Sequence, residues 1–159
     1  MAPRTLLTPE QYGDVVATVL DNNDGMHLTV AARITEQALA FVATAARYPT
    51  AVIAPSRVVD EGWHALILHT TVYAELCERL GGFVHHYPER PDEERFDPGV
   101  IARTCALMEE AGYAVDRELW TAPGRELVGV AARCQHSPNC GPIEPIPRPK
   151  QKPGGPAAA

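Results

Sequence analysis

Helix start and stop signals punctuate this chain at short intervals, and they leave room for little but helices between them. Thr8-Pro9-Glu10-Gln11 combines a capping threonine, a proline at the first helical position and a glutamine placed to close a capping box. Val15, Val16, Val19 and Leu20 supply one apolar stripe before Asp21-Asn22-Asn23-Asp24-Gly25 turns the chain. Over residues 29–48, Val30, Ile34, Ala38, Phe41, Val42 and Ala45 recur at helical spacing among alanines that suit close helix-helix packing, and Pro49 ends the run.

Ser56 caps a third helix, expected to continue to Leu80, where Gly81-Gly82 stop it. Residues 83–87 are expected to be extended and to pack back on the bundle, and residues 88–95 to form a charged, proline-containing loop. Asp97-Pro98 opens a fourth helix that Gly112 closes, and Asp116 caps a short fifth segment through Trp120. Residues 127–132 read as a helical turn or a short strand. Beyond them Pro138, Pro142, Pro145, Pro147, Pro149, Pro153 and Pro156 are too frequent for helix or sheet. The expected architecture is all-α: a bundle of four to five helices with an extended return segment and a disordered proline-rich C-terminal tail. The helical domain takes residues 1–132 and the Cys/Pro-rich tail residues 133–159.

The chemistry concentrates on the third helix. Four of the six histidines, His64, His69, His85 and His86, fall within 23 positions. At about 100° per residue, Val59, Trp63, Leu66, Thr70, Tyr73, Cys77 and Leu80 share one face, which must be core. Asp60 and His64 are four apart and are neighbours on another edge. His64 and His69 lie about 140° apart, so they cannot easily chelate one ion on a straight helix. This is not the His-Glu-x-x-His pattern of a zinc protease.

The return segment supplies the missing partner. Residues 64–81 climb about 25 Å as helix, and residues 82–86 run back about 16 Å if extended. His85 or His86 then comes level with the middle of the helix, nearest His69 and Tyr73 and within reach of His64. Successive extended residues point to opposite sides, so only one of the two enters a given site.

Two readings stand side by side. In one, Asp60, His64 and His86 are ligands of a divalent metal such as Zn or Fe, with His69, Tyr73 and His85 as second-layer or acid-base, and hence catalytic, groups. In the other, Asp60 pairs with His64 to hold its tautomer, His69 bonds Tyr73 or a backbone carbonyl, and the chain is a non-enzymatic interaction module.

Pro55-Ser56-Arg57-x-Val59-Asp60-x-x-Trp63-His64-x-x-Ile67-Leu68-His69-Thr70-x-x-Tyr73-x-x-x-Cys77, followed by Gly82 and His85-His86-x-Pro88, resembles the glycine-rich domain-containing protein-like family. The resemblance implies a helical domain in which Asp60, Trp63, His64, Tyr73 and His86 match the family pattern and Asp60, His64 and His86 sit together. His69 fits bacterial-type members better than plant ones. The chain departs from the pattern in lacking a glycine-rich C-terminal region, so roles attached to that region do not transfer.

The four cysteines, Cys77, Cys105, Cys134 and Cys140, read as free thiols or metal ligands, since no secretion signal is evident and a cytoplasmic location is expected. Cys77 and Cys105 lie on apolar faces and suit inert buried thiols. Cys134, His136 and Cys140 form a second zinc candidate, with Cys105 or a third-helix histidine as fourth ligand, although Cys-x5-Cys is wider than the usual ligand spacing. No nucleophile elbow surrounds Ser56 or Ser137, and no phosphate loop exists. The formal net charge of -6 speaks against nucleic acid as a partner. No apolar run is long enough to span a membrane. The partner is an unknown small molecule or a protein, and the proline spacing of residues 142–150 suits a partner's aromatic groove.

Overall fold

The structure, a computed structural model, describes residues 2–86 and 99–121. Those residues form six α-helices and no strand: α1 (Pro9–Asp21), α2 (Leu28–Arg47), α3 (Arg57–Leu68), α4 (Thr70–Leu80), α5 (Val100–Glu110) and α6 (Arg117–Thr121), after a 3-10 turn at Pro3–Leu6. The fold is an all-α bundle, as the punctuation requires. None of its described helices is long and apolar enough to cross a membrane.

The capping signals act where they stand in the sequence. Thr8 Oγ1 accepts from the Gln11 N–H while Gln11 Oε1 accepts from the Thr8 N–H, a complete capping box. Ser56 Oγ accepts from the Val59 N–H and donates to the Leu119 carbonyl, so it caps α3 and ties it to α6. Gly81 takes φ +92°, with Gly81 N–H bonded to the Glu78 carbonyl and Gly82 N–H to the Cys77 carbonyl, the paired bonds that close a helix at a left-handed glycine. Gly112 closes α5 in the same way, at φ +90°. The expected Asp97-Pro98 start lies outside the described residues, and α5 begins at Val100. The loop at residues 88–95, residues 127–132, the domain boundary at 132 and the tail also lie outside them.

α2 is the axis of the bundle. From Gln37 to Thr44 every residue is buried, so α1, α3, α4 and α5 all find a face on it. Its alanines allow the close approach their number suggests. At the α2–α3 crossing, a Cβ on Gly62 would sit 2.9 Å from the Ile34 carbonyl oxygen and 3.0 Å from Ala38 Cβ. Two backbones therefore nearly touch between Asp60 and His64. Gln37, buried midway along α2, acts as a fastener. Its Nε2 donates to the Ala114 carbonyl, and its Oε1 accepts from the Asp116 N–H and from Trp120 Nε1.

One expectation fails. Residues 57–80 do not form one helix; His69, at φ −83° and ψ 66°, interrupts it and separates α3 from α4. The count of helices rises to six for this reason. No proline or glycine marks the break. His69 Nε2 instead shares a 2.8 Å hydrogen bond with Thr18 Oγ1 on α1, a tertiary contact that no local pattern announces. The face expected to be core is altered with it. Val59, Trp63, Leu66, Tyr73 and Cys77 are buried, but Thr70 is exposed and Leu80 only half-buried, while Val58, Ala65 and Leu76 join the core.

Candidate metal centre

Asp60 and His64 occupy successive turns of α3, and their side chains stay at the bundle edge, 25% and 33% exposed. His64 Nε2 lies 3.6 Å from Asp60 Oδ2, so the pairing expected from their spacing is present. The return segment after Gly82 is not helical, and it carries His86 farther than the middle of the old helix, to Asp60 itself. His86 Nε2 stands 2.9 Å from Asp60 Oδ1. A carboxylate only accepts, so in this arrangement Nε2 carries the proton. The His86 ring packs against those of Trp63 (centroids 4.4 Å) and His64 (4.6 Å).

The break at His69 makes this reach available. On a straight helix Trp63 and Tyr73 would stand about 15 Å apart along the axis, yet Trp63 Nε1 donates to Tyr73 Oη across 2.9 Å. Tyr73 Oη in turn donates to the Val84 carbonyl at 2.5 Å. This relay runs from α3 through α4 to the return segment and fixes residue 84, two positions before His86. Burial pushes the Tyr73 phenol well above its ordinary range, so it stays protonated and keeps donating. Both its donor and its acceptor are spent inside the protein. Of the two roles expected for Tyr73, second-layer or acid-base, these bonds suit the first, a positioning role.

Only His86 joins Asp60 and His64, while His85 packs at a tilt against Phe83 with centroids 4.8 Å apart. His69, expected beside Tyr73 and the ligands, is bonded to Thr18 instead. Asp60, His64 and His86 together offer one carboxylate oxygen and two imidazole nitrogens that lie within 4.8 Å of one another. Cis ligands at about 2.1 Å from an ion are separated by about 3.0–3.4 Å, so this set closes on one ion by side-chain adjustment of roughly 1 Å. Glu61, unremarked in the pattern, adjoins the cluster. Burial first, then the charge of Asp60, raises its carboxyl pKa. Cys77 and Cys105 are free and buried, as expected of inert thiols, and burial pushes the Cys105 thiol up. The second zinc candidate, Cys134, His136 and Cys140, lies outside the described residues.

Fold and site together define a class: an all-α domain whose third helix and return segment assemble a mixed histidine and carboxylate cluster. Within that class the chain belongs to the UCP032817-like family, which matches residues 14–95 and so includes Asp60, His64 and His86. This corrects the likeness to the glycine-rich domain-containing protein-like family. The residues that suggested it, Asp60, Trp63, His64, Tyr73 and His86, form one packed network. Neither a curated protein nor a solved structure matches the chain.

Proposed function

We propose that this domain binds one divalent metal ion through Asp60, His64 and His86, and that the ion serves a reaction on a small molecule. The observation that carries the reading is the convergence of those three groups from two separate segments, with ligand atoms within 4.8 Å. Two imidazoles and one carboxylate suit Zn or Fe and leave coordination positions open. An ion so held would supply Lewis-acid activation of water or, as iron, of dioxygen. The chain's own part is to hold the ligands. Asp60 and His64 are set by α3, and His86 is set by the Tyr73–Val84 bond and by packing against the Trp63 ring. Ligation through His86 Nε2 moves its proton to Nδ1 and replaces the bond to Asp60.

Elemental analysis of the purified, untagged chain tests this. About one equivalent of Zn or Fe per chain is expected, lost in His64→Ala and in His86→Ala. Metal lost only in Cys134→Ala would move the site to residues 134–140. No metal, even after refolding with Zn or Fe, would sink the proposal.

A second reading draws on the 2.9 Å His86–Asp60 hydrogen bond, which already satisfies both groups without an ion. Asp60, Trp63, His64 and His86 would then be a structural network in an interaction module, and removing residues 133–159 would abolish partner binding.

A further inference from the structure

A cavity of about 270 Å³ opens beside the cluster, lined by Ile67, Thr70, Tyr73, Phe83, His85 and His86. Its walls are four rings, one aliphatic side chain and one threonine. No lysine, arginine or carboxylate among the described residues lines it, and the imidazoles of His85 and His86 are its nitrogen groups. The Tyr73 hydroxyl is turned away to Val84, which leaves the ring to face the space. Phe83 meets Tyr73 edge-on at 5.3 Å, yet 54% of it is exposed, a large apolar surface left at the rim. His86 belongs to both places. Its ring forms cavity wall while its Nε2 points to Asp60. An imidazole is only about 2.2 Å across, so an atom in contact with that wall lies within roughly 8 Å of an ion on Nε2.

Resting on the metal-site reading, we propose that this cavity holds the aromatic or compact apolar part of a small-molecule substrate, with its polar reacting group directed past His86 to the ion. The volume suits one ring with a short substituent and falls just below the usual range for small-molecule sites, about 300–1,000 Å³. Rings on several sides favour a flat aromatic body.

Two chelators that differ only in their apolar part separate this inference from the reading beneath it. The zinc-loaded full chain is titrated calorimetrically with benzohydroxamate and with acetohydroxamate. Covering the extra carbons of a phenyl group is expected to make benzohydroxamate about tenfold tighter or more. Phe83→Ala removes one wall and Thr70→Tyr fills the space from another, and both should erase the preference. Zinc affinity is the control for folding; if Phe83→Ala disturbs it, Thr70→Tyr decides. Equal affinities in the parent chain, no binding of either chelator, or a preference that survives both variants would overturn the cavity while leaving the metal site standing. A chain that takes up no zinc overturns both.

Discussion

Single side chains decide whether the cluster assembles, and Tyr73 is the most exposed to test. Tyr73→Phe keeps the ring and deletes the bridge between Trp63 Nε1 and the Val84 carbonyl, leaving a buried indole N–H without its acceptor. A loss of about 1–3 kcal/mol in denaturant-measured stability is expected. Metal affinity should fall about 10–100-fold, the usual effect of removing a group that orients a ligand. A change in stability with unchanged affinity would show that Tyr73 props the fold and nothing else. At this scale the sequence was legible in part. The four-residue spacing of Asp60 and His64 placed one edge of the cluster, and strand-like alternation required that only one of His85 and His86 join it. The partner of His69 was not legible. Thr18 lies 51 positions away, and a hydroxyl on a half-polar helix edge carries no mark of what it will meet.

Helices rest on two glycines for opposite reasons, and each gives a prediction. Gly62 is needed for what it lacks. Alanine there gains up to about 1 kcal/mol of helix propensity, but its Cβ meets the Ile34 carbonyl at 2.9 Å, and backbone cannot step aside as a side chain can. Gly62→Ala should therefore destabilise by about 1–3 kcal/mol by chemical denaturation. It should also weaken metal binding, because α3 must move with Asp60 and His64 on it. Gly81 is needed for its backbone. A Cβ there meets nothing, but φ +92° is strained for any other residue, so Gly81→Ala should cost about 1 kcal/mol of stability and leave the α2–α3 contact intact. Element boundaries with a chemical signal were legible: Thr8, Ser56, Gly81 and Gly112 all act as their types suggest. The α3–α4 break was not, because Leu68-His69-Thr70 holds no helix breaker and the interruption is secured from α1.

The whole molecule is held shut at one end by charge. Arg33 on α2 donates through Nε and Nη2 to both oxygens of Asp116 at 2.6 and 2.9 Å, and through Nη2 to Glu118 at 2.6 Å, which fastens α6 beside Gln37. The guanidinium holds the Asp116 carboxyl below its usual range. A carboxyl whose pKa is depressed by folding contributes stability above its unfolded pKa, near 3.9, and loses it as pH falls through the folded value. Thermal melts should thus show a loss between about pH 5 and 2 that is reduced in Asp116→Asn. The effect is of order 1 kcal/mol, because Arg33 is 40% exposed and solvent screens the pair. Zinc, if the site is as proposed, should raise the melting temperature with concentration in the parent chain and not in His64→Ala. The bundle itself was legible from helix period and caps. The cavity at Phe83 was not, because it depends on how the return segment settles over the break.

The contact between Asp60 and His86 also makes the chain a lasso. The two residues are 26 apart in sequence, and all of α4 lies within the noose they close. An ion gripping both sides would act as a reversible cross-link, and closing a loop of that length removes about 3.5 kcal/mol of unfolded-chain entropy on a chain-entropy estimate. While the clasp holds, an unfolded α4 has fewer conformations open to it, so its opening is disfavoured. Amide hydrogen exchange within α4 should accordingly quicken in His86→Ala while the middle of α2 keeps its protection, so that the histidine at the end of the noose governs the opening of a helix it does not belong to.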